Sequence, residues 1–261
     1  MTKQDDKSHK KEYSIPASHP RYESLRLREV IADSVADGLT APEGLIAHGR
    51  GEAFDYLLGE CTQQPAENAI AAAAAALVLA KRPVISVNGN VAALAALEII
   101  RLSKAIPAKM EVNIFHYSKE RFYKILGLFK DMGAEDVLGE HRDKQIPGLE
   151  HARAACTSEG IFAADVVLVP LEDGDRAEAL MKMGKQVVTI DLNPLSRTAK
   201  VASITIVDNI VRALPKLLEK VEQYKSKEKA ELESIKNSFN NKKNLREVLK
   251  IINDRLGTLE I

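Results

Sequence analysis

Apolar positions follow two rhythms along this chain. In residues 20–39, Leu25, Leu27, Val30, Ile31 and Val35 recur among Arg26, Arg28, Glu29 and Asp33 at close to the helical period, and Gly38 and Pro42 close the segment, which predicts a helix. Residues 43–60 combine a glycine-rich turn, His48-Gly49-Arg50-Gly51, with a short helix, and residues 65–81 read as an alanine-rich helix whose small side chains admit a close neighbour. Beyond residue 82 the rhythm changes. Runs that are apolar along their whole length at 83–87, 109–115, 164–169, 186–190 and 203–207, with a shorter one near 136–138, are separated by helical stretches at 91–104, 118–132, 172–183 and 208–221. Strands of that kind joined by helices predict an α/β parallel sheet covered on both faces. Right-handed crossovers bring the loops after the strands to one edge, where open α/β sheets bind ligands. Those loops are all polar: Asn88-Gly89-Asn90, His116-Tyr117-Ser118, 171–175, 191–198 and Asp208-Asn209.

Three stretches stand apart from this alternation. Residues 1–15 are polar and are expected to form a disordered lead-in. Residues 139–160, with Pro147 and several glycines, read as a long loop or insertion. Residues 222–261 predict two amphipathic helices broken at Asn240-Asn241, with stripes at Leu232, Ile235 and Phe239 and at Leu245, Val248, Leu249, Ile252 and Leu256. A stripe says that a face is buried, against either its own domain or another subunit. The helices already counted suffice to cover the sheet, so the expectation is a homodimer with the stripes of 232–256 at least partly buried between chains. The main domain is then 16–221 and the helical tail 222–261.

Composition narrows the function classes. The chain has 261 residues, with 37 Lys and Arg balanced by 37 Asp and Glu, so it lacks the basic excess of a protein built to bind nucleic acid. Aromatic residues are 5% and Trp is absent, which leaves no platform for stacking bases. The two cysteines, Cys61 and Cys156, form neither a disulfide framework nor a CxxC pair, and a reducing, cytoplasmic setting is expected. No apolar run reaches the ~20 residues of a membrane span, and no secretion signal is visible.

Short motifs exclude more than they identify. There is no GxxxxGK[ST] loop, no GxGxxG after a strand, no GxSxG elbow and no HxxxH pair, so no metal-ligand set is expected from the six histidines. Arg50 between Gly49 and Gly51 reads either as a flexible turn presenting a guanidinium to an anion or as a helix-ending turn with a surface arginine. Glu172, Asp173 and Asp175, three acids in four positions after the run at 164–169, could hold a Mg²⁺ that bridges phosphates or could cap the next helix. The segment 191–198 carries more. Asp191 at a strand end can accept from a ribose hydroxyl or an amine, Asn193 suits a base edge, and Arg197 and Thr198 at a helix start suit phosphate. Asn88 and Asn90 are polar amides at the same edge, or a turn with its cap.

Taken together, HPRYESLRLRE (19–29), GLIAHGRGEAFDYLLGE (44–60), PVISVNGN (83–90), VPLEDGDRAEALMKMGK (169–185) and DLNPLSRT (191–198) resemble the archaeal 4-phosphopantoate–β-alanine ligase family, also called phosphopantothenate synthetases, over roughly residues 16–215. The resemblance implies a Rossmann-like fold that dimerises. It also implies a reaction of coenzyme A biosynthesis, in which ATP, 4-phosphopantoate and β-alanine give 4′-phosphopantothenate, AMP and pyrophosphate through an acyl-adenylate, with Mg²⁺. It would place ATP contacts at Arg28, Arg50, Asp191, Leu192, Asn193, Arg197, Thr198, Asn209 and Ile210, and substrate contacts at Asn88 and Asn90. Arg50 and Arg197 would gather the two anions of the first step, and Asp175, Asp191 or Glu172 could take the proton of the attacking amine. Two other classes stand beside this one: a non-catalytic nucleotide-binding regulatory α/β protein, and a nicotinamide-dependent oxidoreductase, which the missing glycine fingerprint disfavours.

Overall fold

Three helices precede the first strand: α1 (Tyr22–Ala36), α2 (Pro42–Leu58) and α3 (Gln64–Leu79). Both α2 and α3 carry a proline in the first turn, where the missing N–H has no helical partner to lose. The structure is a computed structural model that describes residues 14–171 and 174–258; most of the expected lead-in, together with Glu172 and Asp173, lies outside the described residues. One expectation is corrected at once. His48-Gly49-Arg50-Gly51 is not a turn, because α2 runs through it unbroken and ends only at Gly59, whose φ of 86° supplies the left-handed cap. The internal glycines weaken the helix by roughly 1 kcal/mol each. Firm ends and the packing of Asp55 and Leu58 outweigh that cost.

The strands alternate with helices thereafter: β1 (Pro83–Val87), α4 (Gly89–Ala105), β2 (Lys109–Val112), α5 (Lys119–Asp131), β3 (Val137–Leu138), β4 (Lys144–Gln145), β5 (Ala155–Cys156), β6 (Val166–Leu168), α6 (Gly174–Lys182), β7 (Gln186–Ile190), α7 (Arg197–Val201), β8 (Ile204–Ile206) and α8 (Ile210–Tyr224). Six of these strands form one sheet in the order β3-β2-β1-β6-β7-β8, every pair parallel, as in a Rossmann-like fold. The chain works outward from β1 to β3 and then returns beside β1 as β6. The switch point therefore lies between β1 and β6, and a crevice opens there at the carboxyl ends of the strands.

The alternation of side chains explains the two cores. Ile85 and Val87 of β1 point into an apolar layer with α3, α4 and α8, where seven alanines of α3 let the helices approach closely. Val84 points to the other face, with Val167, Val187 and Leu180 of α6. Ile146, Cys156 and Ile161 complete that second layer, so the segment read as a loop or insertion is a cover for the sheet. It is pinned by Glu111 of β2, whose buried carboxylate accepts from the Thr157 N–H (3.0 Å), the Thr157 hydroxyl (2.9 Å) and the Ile161 N–H (2.7 Å).

The tail forms α9 (Lys229–Ser238) and α10 (Asn241–Gly257), and much of their stripes packs against their own chain, while Leu256 at the end of the second stripe is left exposed. Leu232 is buried in the layer with α3, while Leu245, Val248 and Ile252 close a third apolar cluster with Leu58, Leu192 and Val207. That cluster braces the loop after β7. Among the described residues no helix is long and apolar enough to cross a membrane.

Candidate active site

The loops after β7 and β8, together with α1 and α2, enclose a cavity of about 660 Å³ at the carboxyl edge of the sheet. Asp191 follows β7 and is half-buried. It accepts from the Ser196 hydroxyl at 2.5 Å and from the Asn193 N–H at 2.9 Å, while the Asn193 side chain accepts from the Leu195 N–H at 2.9 Å. These bonds tie the segment 191–196 into a fixed turn that closes on Ser196, the cap of α7. Burial pushes the Asp191 carboxyl above its usual range, against the pull of Ser196, Asn193 and the positive charge of Arg50. Leu192, Asn193, Arg197 and Thr198 line the same cavity, as do Asn209 and Ile210 after β8. Asn209 caps α8 and donates to Asp55 at 3.0 Å.

The guanidiniums divide into the occupied and the open. Arg197 is 60% exposed and ion-paired to Asp175 and, at 2.5 Å, to Glu178. Lys182 and Arg197 hold the Glu178 carboxyl down at about 2. Asp175 does not line the cavity and instead holds Arg197 from behind. Arg28 likewise stands outside the wall: its Nε donates to both oxygens of Glu52 at 2.9 Å and its Nη2 to the Tyr56 hydroxyl at 3.1 Å. Burial would raise Glu52, but Arg28 and Tyr56 outweigh it and keep that carboxylate below its usual range. Arg50 makes no hydrogen bond or ion pair among the described residues and faces the cavity from the α2 wall.

Several residues of the site carried no local signal. Arg212 of α8 reaches Asp55 of α2 at 2.5 Å and Asp208 at 2.7 Å, fixing α2 over the edge of the sheet. Burial pulls the Arg212 pKa down, but the two carboxylates prevail and keep it above its usual value. His48, one helical turn before Glu52, lines the cavity with a pKa lowered by burial. Only the polar spacing of α1 and α2 hinted that their exposed faces form a wall.

A smaller cavity of about 290 Å³ adjoins the first, over the loops after β1 and β2. Asn90, Ala47 and Leu171 line both. Asn90 donates to the Gly44 carbonyl at 3.0 Å, and its oxygen also lies against Gly44, where a Cβ would crowd it. Asn88 lines only the smaller cavity and is engaged at both ends of its amide: it accepts from the Val91 N–H at 3.0 Å and donates to the carbonyls of Leu171 at 3.0 Å and Pro170 at 3.3 Å. It clamps β1 to β6 across the switch point.

Among the described residues no three His, Cys, Asp or Glu side chains gather as a metal cage. Mg²⁺ carried on a triphosphate needs no such cage, since it is held by phosphate oxygens, water and one or two carboxylates.

Comparisons with known proteins agree with this architecture. A family model described as phosphopantothenate/pantothenate synthetase matches residues 65–255. The chain is 55% identical over 247 residues to a 4-phosphopantoate–β-alanine ligase of Thermococcus kodakarensis, covering 94% of this chain and 95% of that one. It is 50% identical to the ligase of that name from Methanosarcina mazei, covering 94% and 96%, and 56% identical to that of Methanospirillum hungatei, covering 77% and 82%.

Proposed function

The chain belongs to the phosphopantothenate/pantothenate synthetase family, and from that premise we propose that it is an ATP-dependent ligase joining 4-phosphopantoate to β-alanine in coenzyme A biosynthesis. The observation that carries the proposal is the extent of the likeness, which spans nearly the whole length of both chains, including every cavity-lining segment. In the first step a carboxylate oxygen of the acid attacks the α-phosphorus of ATP, the bond to the β-phosphate breaks, and pyrophosphate leaves. In the second, the β-alanine nitrogen attacks the acyl carbon, AMP leaves, and the nitrogen gives up a proton.

The site supplies what those steps need. In this reading Asp191 accepts from a ribose hydroxyl, Asn193 and Asn209 meet the nucleoside, and Arg50 and Arg197 meet the phosphates beside Thr198 and Ile210. Asp175 is a positioning residue that orients Arg197, and Arg28 orients Glu52. Asn90 stands at the junction where nucleotide and acid would meet, and Asn88 shapes the turn beneath it. Mg²⁺ would arrive with ATP and draw negative charge from the leaving pyrophosphate. The first step is then carried by bringing two anions together and neutralising them, with little proton transfer. Pairing of two copies belongs to the same reading; the large apolar side chains left exposed, Ile46 of α2 and Leu256 of α10 among them, offer surface for it.

Pyrophosphate release in the presence of ATP tests the reaction. Release that requires both 4-phosphopantoate and β-alanine supports the ligase. ATP binding without turnover would instead identify a regulatory nucleotide-binding protein.

A further inference from the structure

We propose that His48 of α2 is the proton acceptor of the second step, taking the proton that the β-alanine nitrogen must lose as it joins the acyl carbon. The inference rests on the ligase reading. In that reading the first step needs little proton transfer, whereas the second cannot finish without an acceptor.

The course of α2 places His48 where the acceptor is needed. Glu43 and Gly44 in its first turn line the smaller cavity alone, Ala47 lines both cavities, and His48, Glu52 and Asp55 line the larger one alone. His48 follows Ala47 by about 1.5 Å of helix rise, so it is the first titratable side chain of α2 on the nucleotide side of the junction. In the ligase reading the carboxylate of the acid meets the α-phosphate at that junction, and the bond attacked in the second step lies there.

The other acids of the larger cavity are engaged. Glu23 accepts from Arg26 at 2.9 Å. Glu52 accepts from Arg28 at 2.9 Å and from the Tyr56 hydroxyl at 2.7 Å. Asp55 accepts from Asn209 at 3.0 Å and from Arg212, and Asp191 accepts from Ser196 and Asn193. Glu60 follows the left-handed cap at Gly59, beyond the end of α2 that is farthest from the junction. The His48 side chain, which is half-buried, makes no hydrogen bond or ion pair among the described residues, so a ring lone pair is open to the cavity. Burial lowers its pKa, Glu52 and Asp55 of its own helix oppose the shift, and Arg28 of α1 adds to it. On the facing wall Arg197 is held by Asp175 and Glu178. The ring is therefore neutral at neutral pH and ready to take a proton. Glu52, held below its usual range by Arg28 and Tyr56, is the weaker acceptor.

As the C–N bond forms, the attacking nitrogen becomes positively charged. The ring of His48 takes one of its N–H protons, the C–O bond to AMP breaks with its electron pair left on the phosphate, and an uncharged amide remains. The imidazolium returns its proton to water once AMP has left.

The test separates the two steps in the full chain, using His48→Gln and His48→Ala. Exchange of pyrophosphate into ATP, dependent on 4-phosphopantoate, reads the first step and should stay close to the parental rate in both variants. Amide formation with saturating β-alanine should fall about 100-fold or more, through kcat. Hydroxylamine supplies the decisive comparison. Its nitrogen is far less basic, so after attack water can take the proton, and hydroxamate formation should hold in the variants. The rate with β-alanine follows the free amine and rises with pH in every variant. In the parent it should fall more steeply once acidification protonates His48, and His48→Gln should lose that extra steepness. Equal losses of exchange and amide formation, equal losses with hydroxylamine and β-alanine, or an unchanged pH profile in His48→Gln each overturn the assignment. An unmodified chain that neither exchanges pyrophosphate nor forms hydroxamate overturns the ligase reading itself, and the assignment with it.

Discussion

Replacing Arg50 separates the two things a guanidinium can do in this cavity. Arg50 is exposed on α2 and makes no hydrogen bond or ion pair among the described residues, so Arg50→Ala should change folding stability by no more than about 0.5 kcal/mol. Its loss should be felt by ATP. A charge-assisted contact to phosphate contributes about 1.5–3 kcal/mol, which corresponds to a roughly 10- to 150-fold weaker Kd. A second effect comes through Asp191. Burial raises that carboxyl and the charge of Arg50 opposes the rise. Without Arg50 the carboxyl climbs further, so the charged acceptor for the ribose is lost at a higher pH as the solution is acidified. Calorimetric titration with a non-hydrolysable ATP analogue, repeated from neutral to acidic pH, reads both effects. Arg50→Ala should bind more weakly throughout and lose affinity at a higher pH than the parent. Arg50→Lys keeps the charge and should leave the acid limb nearly in place, while still binding weakly because it lacks the planar fork. Unchanged affinity in a folded Arg50→Ala variant would refute the contact, and an acid limb at the parental pH would refute the link to Asp191.

Arg212→Met should strip Asp55 and Asp208, 7% and 1% exposed, of their shared cation and cost about 3–5 kcal/mol at neutral pH. Burial already holds Asp208 above its usual range, so protonation relieves the stranded charge and the loss should shrink on acidification; urea unfolding that shows the same loss at neutral and acidic pH would exclude this account. Gly49→Ala places a methyl where nothing lies within 4 Å of it, inside α2, and should raise stability by about 0.5–1 kcal/mol in thermal unfolding. A lower melting temperature would mean that the segment leaves the helix in solution.

How much of the site can be read from the chain depends on whether its cause is local. The strands were legible because burial on both faces writes itself into consecutive residues, as in 186–190, and the loops after them were legible as polar breaks. Asp191, Asn193, Arg197 and Thr198 share one such loop, and the bonds from Asp191 to Asn193 and Ser196 join residues at most five apart. The opposite wall is different. Arg212 and Asp55 lie 157 positions apart, and nothing near either residue says that they meet. Gly49 and Gly51 suggest a turn by their own preference, yet the helix carries both: nothing lies within 4 Å of where a Gly49 Cβ would sit, and a Gly51 Cβ would meet Leu192 at 3.5 Å, an ordinary contact. Residue type also cannot say what a charged group faces. Arg28, Arg50 and Arg197 are equal as sequence, yet Glu52 occupies the first, Asp175 and Glu178 hold the third, and the second alone stands open to the cavity. The same limit applies to the tail, whose stripes specify a buried face but not the surface that buries it. The apolar cluster of Leu58, Leu192 and Val248 covers one part of the second stripe, at the loop that shapes the nucleotide cavity, and Leu256 beyond it is left exposed.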